Sequence, residues 1–259
     1  MKPLTSIAII PARMNSTRLP NKPMKSILGM PMIGHVYHRA KLIESCEEVC
    51  VATCDQVIFD YIKNLGGLAV MTSNLHERAT DRTAEALQKL KETHNKEFDL
   101  VAMIQGDEPM FNPHEVNLGV LELSKDPQSN IVNLMNKIES NEDFLDSNNV
   151  KVVVDKNNKA LYFSREAVPS GWKDNNKNHL YLQTGLIIFK VSYLNTYLNL
   201  DPTPLEEIES CDMLRVLEHG QEVKMFLVPT RSIGVDVESD LQTVESILKN
   251  DPIVEGYIE

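Results

Sequence analysis

The sequence predicts an α/β fold with a mostly parallel central sheet and an antiparallel flap. Two observations lead to this fold class. In the first half of the chain, short apolar runs alternate with amphipathic stretches, which indicates parallel strands covered by helices on both faces. In the second half, two apolar runs flank the turn-rich segment Asp155–Lys159, which indicates antiparallel pairing.

The first half is predicted to repeat a strand–helix unit. The predicted strands are Ser6–Ile10, Glu48–Thr53, Leu68–Met71 and Phe98–Ile104. The helices that follow them are predicted at Pro31–Ile43, Gln56–Leu65, Asp81–Thr93 and Pro113–Ser124. The carboxyl ends of parallel strands meet at one edge of a sheet, where α/β proteins bind ligands. Residues just after these strands are therefore the first candidates for a functional site.

The second half is predicted to contain shorter strands and two helices. The predicted strands are Val150–Val154, Ala160–Phe163, Leu186–Phe189 and Glu222–Val228. One helix begins with a capping box formed by Thr203 and Glu206, has Pro204 in its first turn and ends at Gly220. The last predicted helix covers Leu241–Lys249.

Bulk properties narrow the domain organisation and the functional class. No linker divides the 259 residues, so one domain is predicted, with halves 1–125 and 126–259. A net charge of −11 argues against a general nucleic-acid binder. With no apolar run of about 20 residues and no signal-peptide pattern, we expect no membrane segment and a cytoplasmic protein. The 4 cysteines contain no Cys-x-x-Cys pair and are expected to be reduced thiols.

A basic loop follows the first predicted strand. It contains the cations Arg13, Arg18 and Lys22 and the hydroxyl donors Ser16 and Thr17. Cations and backbone N–H groups at the carboxyl edge of a sheet are suited to binding phosphate, whereas the alternative is a solvated basic turn. Neither Gly-x-x-x-x-Gly-Lys-Ser/Thr nor Gly-x-Gly-x-x-Gly is present, so neither a Walker-type nor a classical dinucleotide loop is predicted.

Two aspartates complete the candidate site. Asp107 and Asp236 each follow an apolar, strand-like run, although Asp107 alone could also be a turn or helix cap. Magnesium is commonly held by one or two carboxylates together with phosphates and water. Carboxylates that face a basic loop therefore predict a site for a magnesium nucleoside triphosphate.

Six motifs in this order resemble the 3-deoxy-manno-octulosonate cytidylyltransferases, also called CMP-Kdo synthetases. The motifs are Pro11-Ala12-Arg13, Ser16-Thr17-Arg18-Leu19-Pro20, Lys22-Pro23, Gln105-Gly106-Asp107-Glu108-Pro109, Tyr162-Phe163-Ser164-Arg165 and Gly234-Val235-Asp236. The resemblance implies a Rossmann-like nucleotide-diphospho-sugar transferase fold and a homodimer. The implied reaction joins CTP to a 3-deoxy-2-ulosonic acid, which gives the CMP-sugar and pyrophosphate for cell-surface polysaccharide or lipopolysaccharide.

The resemblance also implies roles for individual residues. The implied catalytic residues are Arg13, Lys22, Asp107 and Asp236, of which the two aspartates bind Mg²⁺. The implied nucleotide-binding residues are Ala12, Arg13, Ser16, Arg18, Lys22, Arg78, Thr80, Arg82 and Gln105. The implied sugar-acid residues are Gln105, Arg165, Gln183, Asp212 and Met213, and the second half is implied to carry sugar binding and dimerisation.

The chain departs from the family's usual pattern at several of these positions. Arg78-Ala79-Thr80 stands where the family has Ser-Gly-Thr, and Gln183 and Met213 stand where it has histidine and glutamine. The sugar-side changes predict either a different ulosonic acid, such as a deoxy, amino or acylated one, or neutral drift. Two further classes stay open: a glycosyltransferase of related fold, which should carry an Asp-x-Asp-like motif, and a non-catalytic nucleotide sensor.

Overall fold

The computed structural model describes residues 4–16, 18–171 and 179–258, so Thr17 of the basic loop lies outside the described residues. The chain divides into two compact units. The first unit comprises Met1–Asn117 and Ser232–Glu259, and the second comprises Leu118–Arg231. The predicted halves 1–125 and 126–259 therefore differ from these units, because the C-terminal segment returns to the first one.

The elements of the first unit come first along the chain. They are β1 (Ser6–Ala12), a 3₁₀ turn (Lys22–Met24), β2 (Ser26–Ile27), β3 (Met30–Pro31), α1 (Met32–Ala40), β4 (Glu48–Thr53), α2 (Gln56–Asn64), β5 (Leu68–Met71), α3 (Ala79–His94) and β6 (Leu100–Ile104). Strands β6, β1, β4 and β5 lie side by side in that order and are all parallel. Every residue of β1 and β6 is buried, as expected for parallel strands covered on both faces.

The remaining elements follow in chain order. They are α4 (Pro113–Lys125), β7 (Ile131–Lys137), α5 (Asn141–Leu145), β8 (Lys151–Val154), β9 (Ala160–Ser164), β10 (Tyr181–Lys190), α6 (Val191–Tyr197), α7 (Pro204–Glu209), α8 (Asp212–Glu218), β11 (Lys224–Leu227), α9 (Glu238–Leu248) and α10 (Pro252–Glu255). No helix within the described ranges is both long and apolar enough to cross a membrane.

The second unit contains the predicted antiparallel pairing. Strand β8 pairs antiparallel with β9 and with β10, while β7 pairs antiparallel with β10 and parallel with β11. Strand β7 was not predicted. Its buried Asn133 donates to the carbonyl oxygens of Thr184 and Leu186 at 3.0 Å each, and Asn136 donates to Val228 O at 2.9 Å. These bonds satisfy amides that would otherwise be costly to bury.

The predicted helix from Thr203 to Gly220 is wrong as a single element. It is divided into α7 and α8 because Ser210 adopts a left-handed conformation with φ of 49°. The predicted start is confirmed, since Pro204 begins α7 and Thr203 N donates to Glu206 Oε2 at 3.4 Å.

The C-terminal segment completes the core of the first unit. Leu241, Val244 and Leu248 of α9 pack in one buried cluster with Leu19 and Ile27. Burial of these side chains against the basic-loop region explains why residues 232–259 belong to the first unit.

Candidate active site

A pocket of about 430 Å³ lies in the first unit, at the carboxyl ends of β1 and β6. Ten of the eleven nucleotide, metal and catalytic residues predicted for this unit line it: Ala12, Arg13, Ser16, Arg18, Lys22, Arg78, Arg82, Gln105, Asp107 and Asp236. Residues separated by more than half the chain are therefore brought together, as the two aspartates and the basic loop predict.

Lys22 lies between the two aspartates. Its Nζ donates to Asp107 Oδ2 at 2.7 Å and to Asp236 Oδ1 at 3.0 Å. Arg18 Nη2 forms a second ion pair with Asp236 Oδ1 at 3.0 Å. Burial alone would lower the pKa of the Lys22 ammonium, but Asp107 and then Asp236 outweigh it and raise the pKa above its ordinary 10.5. Lys22 is therefore a cation in this arrangement.

Asp107 is positioned by a close approach of two backbone segments. At Gly106, an added Cβ would lie 3.0 Å from Pro11 O and 3.3 Å from Ala12 Cβ, so glycine lets the chain pass tightly beside the end of β1. The turn after β6 then directs Asp107 into the pocket.

Asp236 is positioned by a different means from the one predicted. Residues 228–236, all of them described, form no strand, so the strand-like interpretation of the run before Asp236 is wrong. Instead Val235 is buried and its N–H donates to Asp107 O at 2.9 Å. The N–H groups of Asp236 and Val237 donate to Asp240 Oδ2 at 2.8 and 3.0 Å, which anchors the segment to the start of α9.

The basic loop is held at both ends. Met14 N donates to Asp55 Oδ2 at 2.8 Å, and Leu19 N donates to Ser16 Oγ at 3.4 Å. Arg13 Nη1 donates to His76 O at 3.3 Å. The Arg13 side chain is nevertheless exposed and lines the pocket. The loop thus presents cations from a fixed backbone, as a phosphate site requires.

Arg82 organises the loop on the other side of the pocket. It is 2% exposed and donates to Ser73 O at 3.1 Å and to His76 O at 3.3 Å. Thr80 is fully buried and is not among the residues that line the pocket, so the predicted contact of its side chain with the nucleotide does not match its position. His76 belongs to the segment that the resemblance matched to the cytidine-side loop, but it was not among the individual site residues predicted. It lines the pocket, and its ring forms a hydrogen bond with Glu85 Oε2 at 2.6 Å.

The four sugar-side residues predicted in the second unit cluster around the break at Ser210. Arg165 Nε donates to Glu209 O at 2.8 Å and its Nη1 donates to Ser147 O at 3.0 Å. Gln183 Oε1 accepts from Cys211 Sγ at 3.2 Å, and Asp212 and Met213 begin α8 directly after Cys211. Because helix-forming sequence surrounds Ser210, this break was not predictable, although it brings the four residues together.

The positions of Met213 and Gln183 bear on their predicted roles in sugar binding. Met213 is 0% exposed, so the structure contradicts direct contact of its side chain with a sugar and makes it a packing residue instead. Gln183 Nε2 donates to Asn133 Oδ1 at 2.7 Å, which fixes the orientation of its amide. Glu209, which was not predicted, accepts from Ser164 Oγ at 2.8 Å and from Arg165 N at 2.7 Å.

Comparison with known proteins identifies the family. The model of the family described as cytidylyltransferase matches residues 7–225. The 3-deoxy-manno-octulosonate cytidylyltransferase of Thermodesulfovibrio yellowstonii is 40% identical over 254 residues, which cover 95% of this chain and 98% of that protein. The chain belongs to the 3-deoxy-manno-octulosonate cytidylyltransferase family. The enzyme of the same name from Fusobacterium nucleatum is 38% identical over 247 residues, with 95% and 98% covered.

A solved structure supports both the family and the fold. CMP:2-keto-3-deoxy-manno-octonic acid synthetase, solved in complex with CTP, matches with a TM-score of 0.85 and 35% identity over 95% of this chain and 98% of that one. The predicted α/β nucleotidyltransferase fold is confirmed. Membership in a cytidylyltransferase family removes the support for the glycosyltransferase alternative.

The carboxylates of this cytidylyltransferase fit a magnesium site that is shared with a substrate. One oxygen of Asp107 and one of Asp236 lie within 3.0 Å of the same Lys22 nitrogen, so both can reach one cation. In the described part of the chain, no group of three or more His, Cys, Asp or Glu side chains could hold a metal. Phosphate and water oxygens would therefore complete the octahedral geometry that magnesium prefers.

Glu85 gives the cytidylyltransferase loop a testable pH dependence. Burial alone would raise the pKa of Glu85, but Lys89, Ser73 N and His76 outweigh it and lower the pKa from 4.5 to about 2. Its contribution to stability is therefore complete above pH 4.5 and is lost as the pH falls toward 2. We expect the wild type to lose roughly 2 to 3 kcal/mol more than Glu85→Gln between pH 6 and 2.

Urea unfolding at a series of pH values measures this difference. Glu92→Gln, an exposed substitution on the same helix, controls for the loss of a surface carboxylate. A Glu85→Gln profile parallel to that of the wild type would contradict the assignment.

Proposed function

We propose that this cytidylyltransferase activates Kdo or a related 2-keto-3-deoxy sugar acid with CTP, giving the CMP-sugar and pyrophosphate for cell-surface polysaccharide or lipopolysaccharide synthesis. The observation that carries the proposal is the convergence of Asp107 and Asp236 with Arg13, Arg18 and Lys22 in one pocket. The names of the relatives support the sugar acid, and the CTP complex of the similar synthetase supports the nucleotide.

The chemistry follows from the charges of the pocket. The anomeric hydroxyl of the sugar acid attacks the α-phosphorus of CTP, the bond from that phosphorus to the bridging oxygen breaks, and pyrophosphate leaves with the electron pair. The hydroxyl proton is released to solvent. Arg13 and Lys22 offset the negative charge on the departing pyrophosphate. Asp107 and Asp236 would hold a magnesium ion, which would supply positive charge to offset the charge that develops during transfer.

Arg165 is our candidate for the carboxylate of the sugar acid. Its Nε and Nη1 groups donate to backbone carbonyls, which fixes the guanidinium. Within the described part of the chain Nη2 makes no such bond and can therefore meet an acid. The neutral amide of Gln183, held by Asn133 and Cys211, offers hydrogen bonds without charge. This arrangement supports recognition of an uncharged hydroxyl-bearing tail.

We also propose a metal cofactor, an oligomeric state and a cellular location. Use of Mg²⁺ is supported by the pair of carboxylates and by the preference of magnesium for oxygen ligands. A homodimer is supported by the family resemblance alone. A cytoplasmic location is consistent with helices that, in the described ranges, are not suited to span a membrane.

A pyrophosphate-release assay tests the function. Purified protein is incubated with CTP, Mg²⁺ and a panel that contains Kdo together with deoxy, amino and acylated ulosonic acids. We expect turnover with CTP that depends on both the acid and the metal, and slower turnover when UTP replaces CTP. Absence of pyrophosphate with every acid would refute the proposal. Turnover with another ulosonic acid but not with Kdo would show that the sugar specificity is altered.

A further inference from the structure

Lys22 is bound to the same two carboxylates that are proposed to hold the metal. Its ammonium nitrogen is 2.7 Å from Asp107 Oδ2 and 3.0 Å from Asp236 Oδ1, and its side chain is only 12% exposed. An ammonium and a divalent cation that share the same ligand oxygens cannot both keep those contacts. The two cations are therefore alternatives at this point of the pocket.

The backbone of Lys22 is fixed while its side chain can move. The 3₁₀ turn is closed by Met24 N donating to Asn21 O at 2.9 Å and by Lys25 N donating to Lys22 O at 3.1 Å, and the next residue, Pro23, is buried. Rotation about the methylene stem can carry the ammonium away from the carboxylates without a change in the loop. A bound triphosphate gives the ammonium new oxygen partners within the same pocket.

We propose that Lys22 is an internal counter-ion for Asp107 and Asp236 in the free protein, and that a divalent metal must displace it. The metal therefore binds weakly to the free protein and tightly together with the nucleotide, whose phosphates receive the displaced ammonium. By linkage, the metal and the nucleotide strengthen each other's binding by the same factor. The inference rests on the proposed function for the identity of the two ligands.

A titration with Mn²⁺ in the absence of nucleotide tests the inference directly. The concentration of free Mn²⁺ is followed by its electron paramagnetic resonance signal. We expect Lys22→Met to bind Mn²⁺ roughly 10- to 100-fold more tightly than the wild type, because an adjacent cation no longer competes for the two carboxylates. If Lys22 served only to bind phosphate, its removal would leave the Mn²⁺ affinity of the nucleotide-free protein unchanged.

Matched variants separate displacement from a general charge effect. Lys22→Arg retains the cation and is expected to keep weak Mn²⁺ binding. Arg13→Met removes a positive charge from the same pocket without removing a contact to either aspartate and is expected to change the affinity little. The double variant Lys22→Met with Asp107→Asn is expected to lose the tighter Mn²⁺ binding of Lys22→Met. That result would show that the ion binds to Asp107 and Asp236.

Two results would overturn the proposal: equal Mn²⁺ affinity of folded Lys22→Met and wild type, or equal tightening in Lys22→Met and Arg13→Met. If Lys22→Met does not fold, as judged by circular dichroism, Lys22→Gln is measured in its place against the same criteria. Failure of the proposed function is distinguishable, because a protein that releases no pyrophosphate from CTP would still show tighter Mn²⁺ binding on removal of Lys22.

Discussion

Asp107→Asn and Asp236→Asn will each lower kcat by roughly 10²- to 10³-fold or more, because each removes one of the two negative charges proposed to hold the metal. Asparagine has nearly the same shape, so the pocket keeps its outline. Both carboxylates are about one-third exposed, at 35% and 34%, and their loss should cost little stability. The turnover number for pyrophosphate release, compared with the thermal midpoint, separates chemistry from folding.

Asp60→Asn is the matched control, since Asp60 is an exposed carboxylate on α2 and does not line the pocket. It should leave turnover near that of the wild type. A near-normal rate in either Asp107→Asn or Asp236→Asn would remove that residue from the mechanism.

Glu206→Gln will lower the free energy of unfolding by about 3 to 5 kcal/mol, because it leaves a mostly buried guanidinium without its counter-charge. Both carboxylate oxygens of Glu206 accept from Arg215 at 2.7 Å, and the two side chains are 0% and 8% exposed. The pair joins α7 to α8 across the break at Ser210, around which the sugar-side residues cluster. The loss is therefore expected to fall on the second unit.

Urea unfolding followed by circular dichroism measures this effect. Glu97→Gln is the matched control, because Glu97 pairs with Lys91 where the two side chains are 68% and 66% exposed, and such surface pairs contribute about 0 to 1 kcal/mol. If Glu206→Gln were as stable as Glu97→Gln, the buried pair would not be what holds the two helices together.

Much of the nucleotide site could be predicted from the sequence. Parallel strands in a covered sheet appear as mostly apolar runs, and β4 and β5 have the predicted bounds. Once the strands are located, the ends of β1 and β6 lie at the same edge, so the basic loop and Asp107 must come close together. The position of the site thus follows from strand order and chain direction.

Other features depend on contacts that no local pattern reveals. The strand β7 carries asparagines that look polar in sequence but are satisfied by carbonyls of distant residues. Ser210 takes a left-handed conformation in the middle of helix-forming sequence. Asp236 is placed by Val235 N and Asp240 and not by a strand. In each case a long-range or conformational term outweighs the local propensity.

The ion pairs of Lys22 could not be predicted from the sequence either. Its basic loop was expected to face phosphate, and the sequence contains no signal that the ammonium bonds to both aspartates. Side-chain direction within a pocket depends on the whole set of neighbouring charges. The sequence predicted which charged side chains form the site, whereas the structure shows which of them form ion pairs with each other.

The most direct test of the central claim follows the α-phosphorus of CTP. Wild-type protein is incubated with Mg²⁺, Kdo and CTP labelled with ³²P at the α-position. We predict that the label appears in a CMP–sugar conjugate in equal amount to the unlabelled pyrophosphate released, and that Asp107→Asn and Asp236→Asn form almost none. The account would be contradicted by label that remains in CTP, by label released without the sugar, or by equal transfer in the two variants.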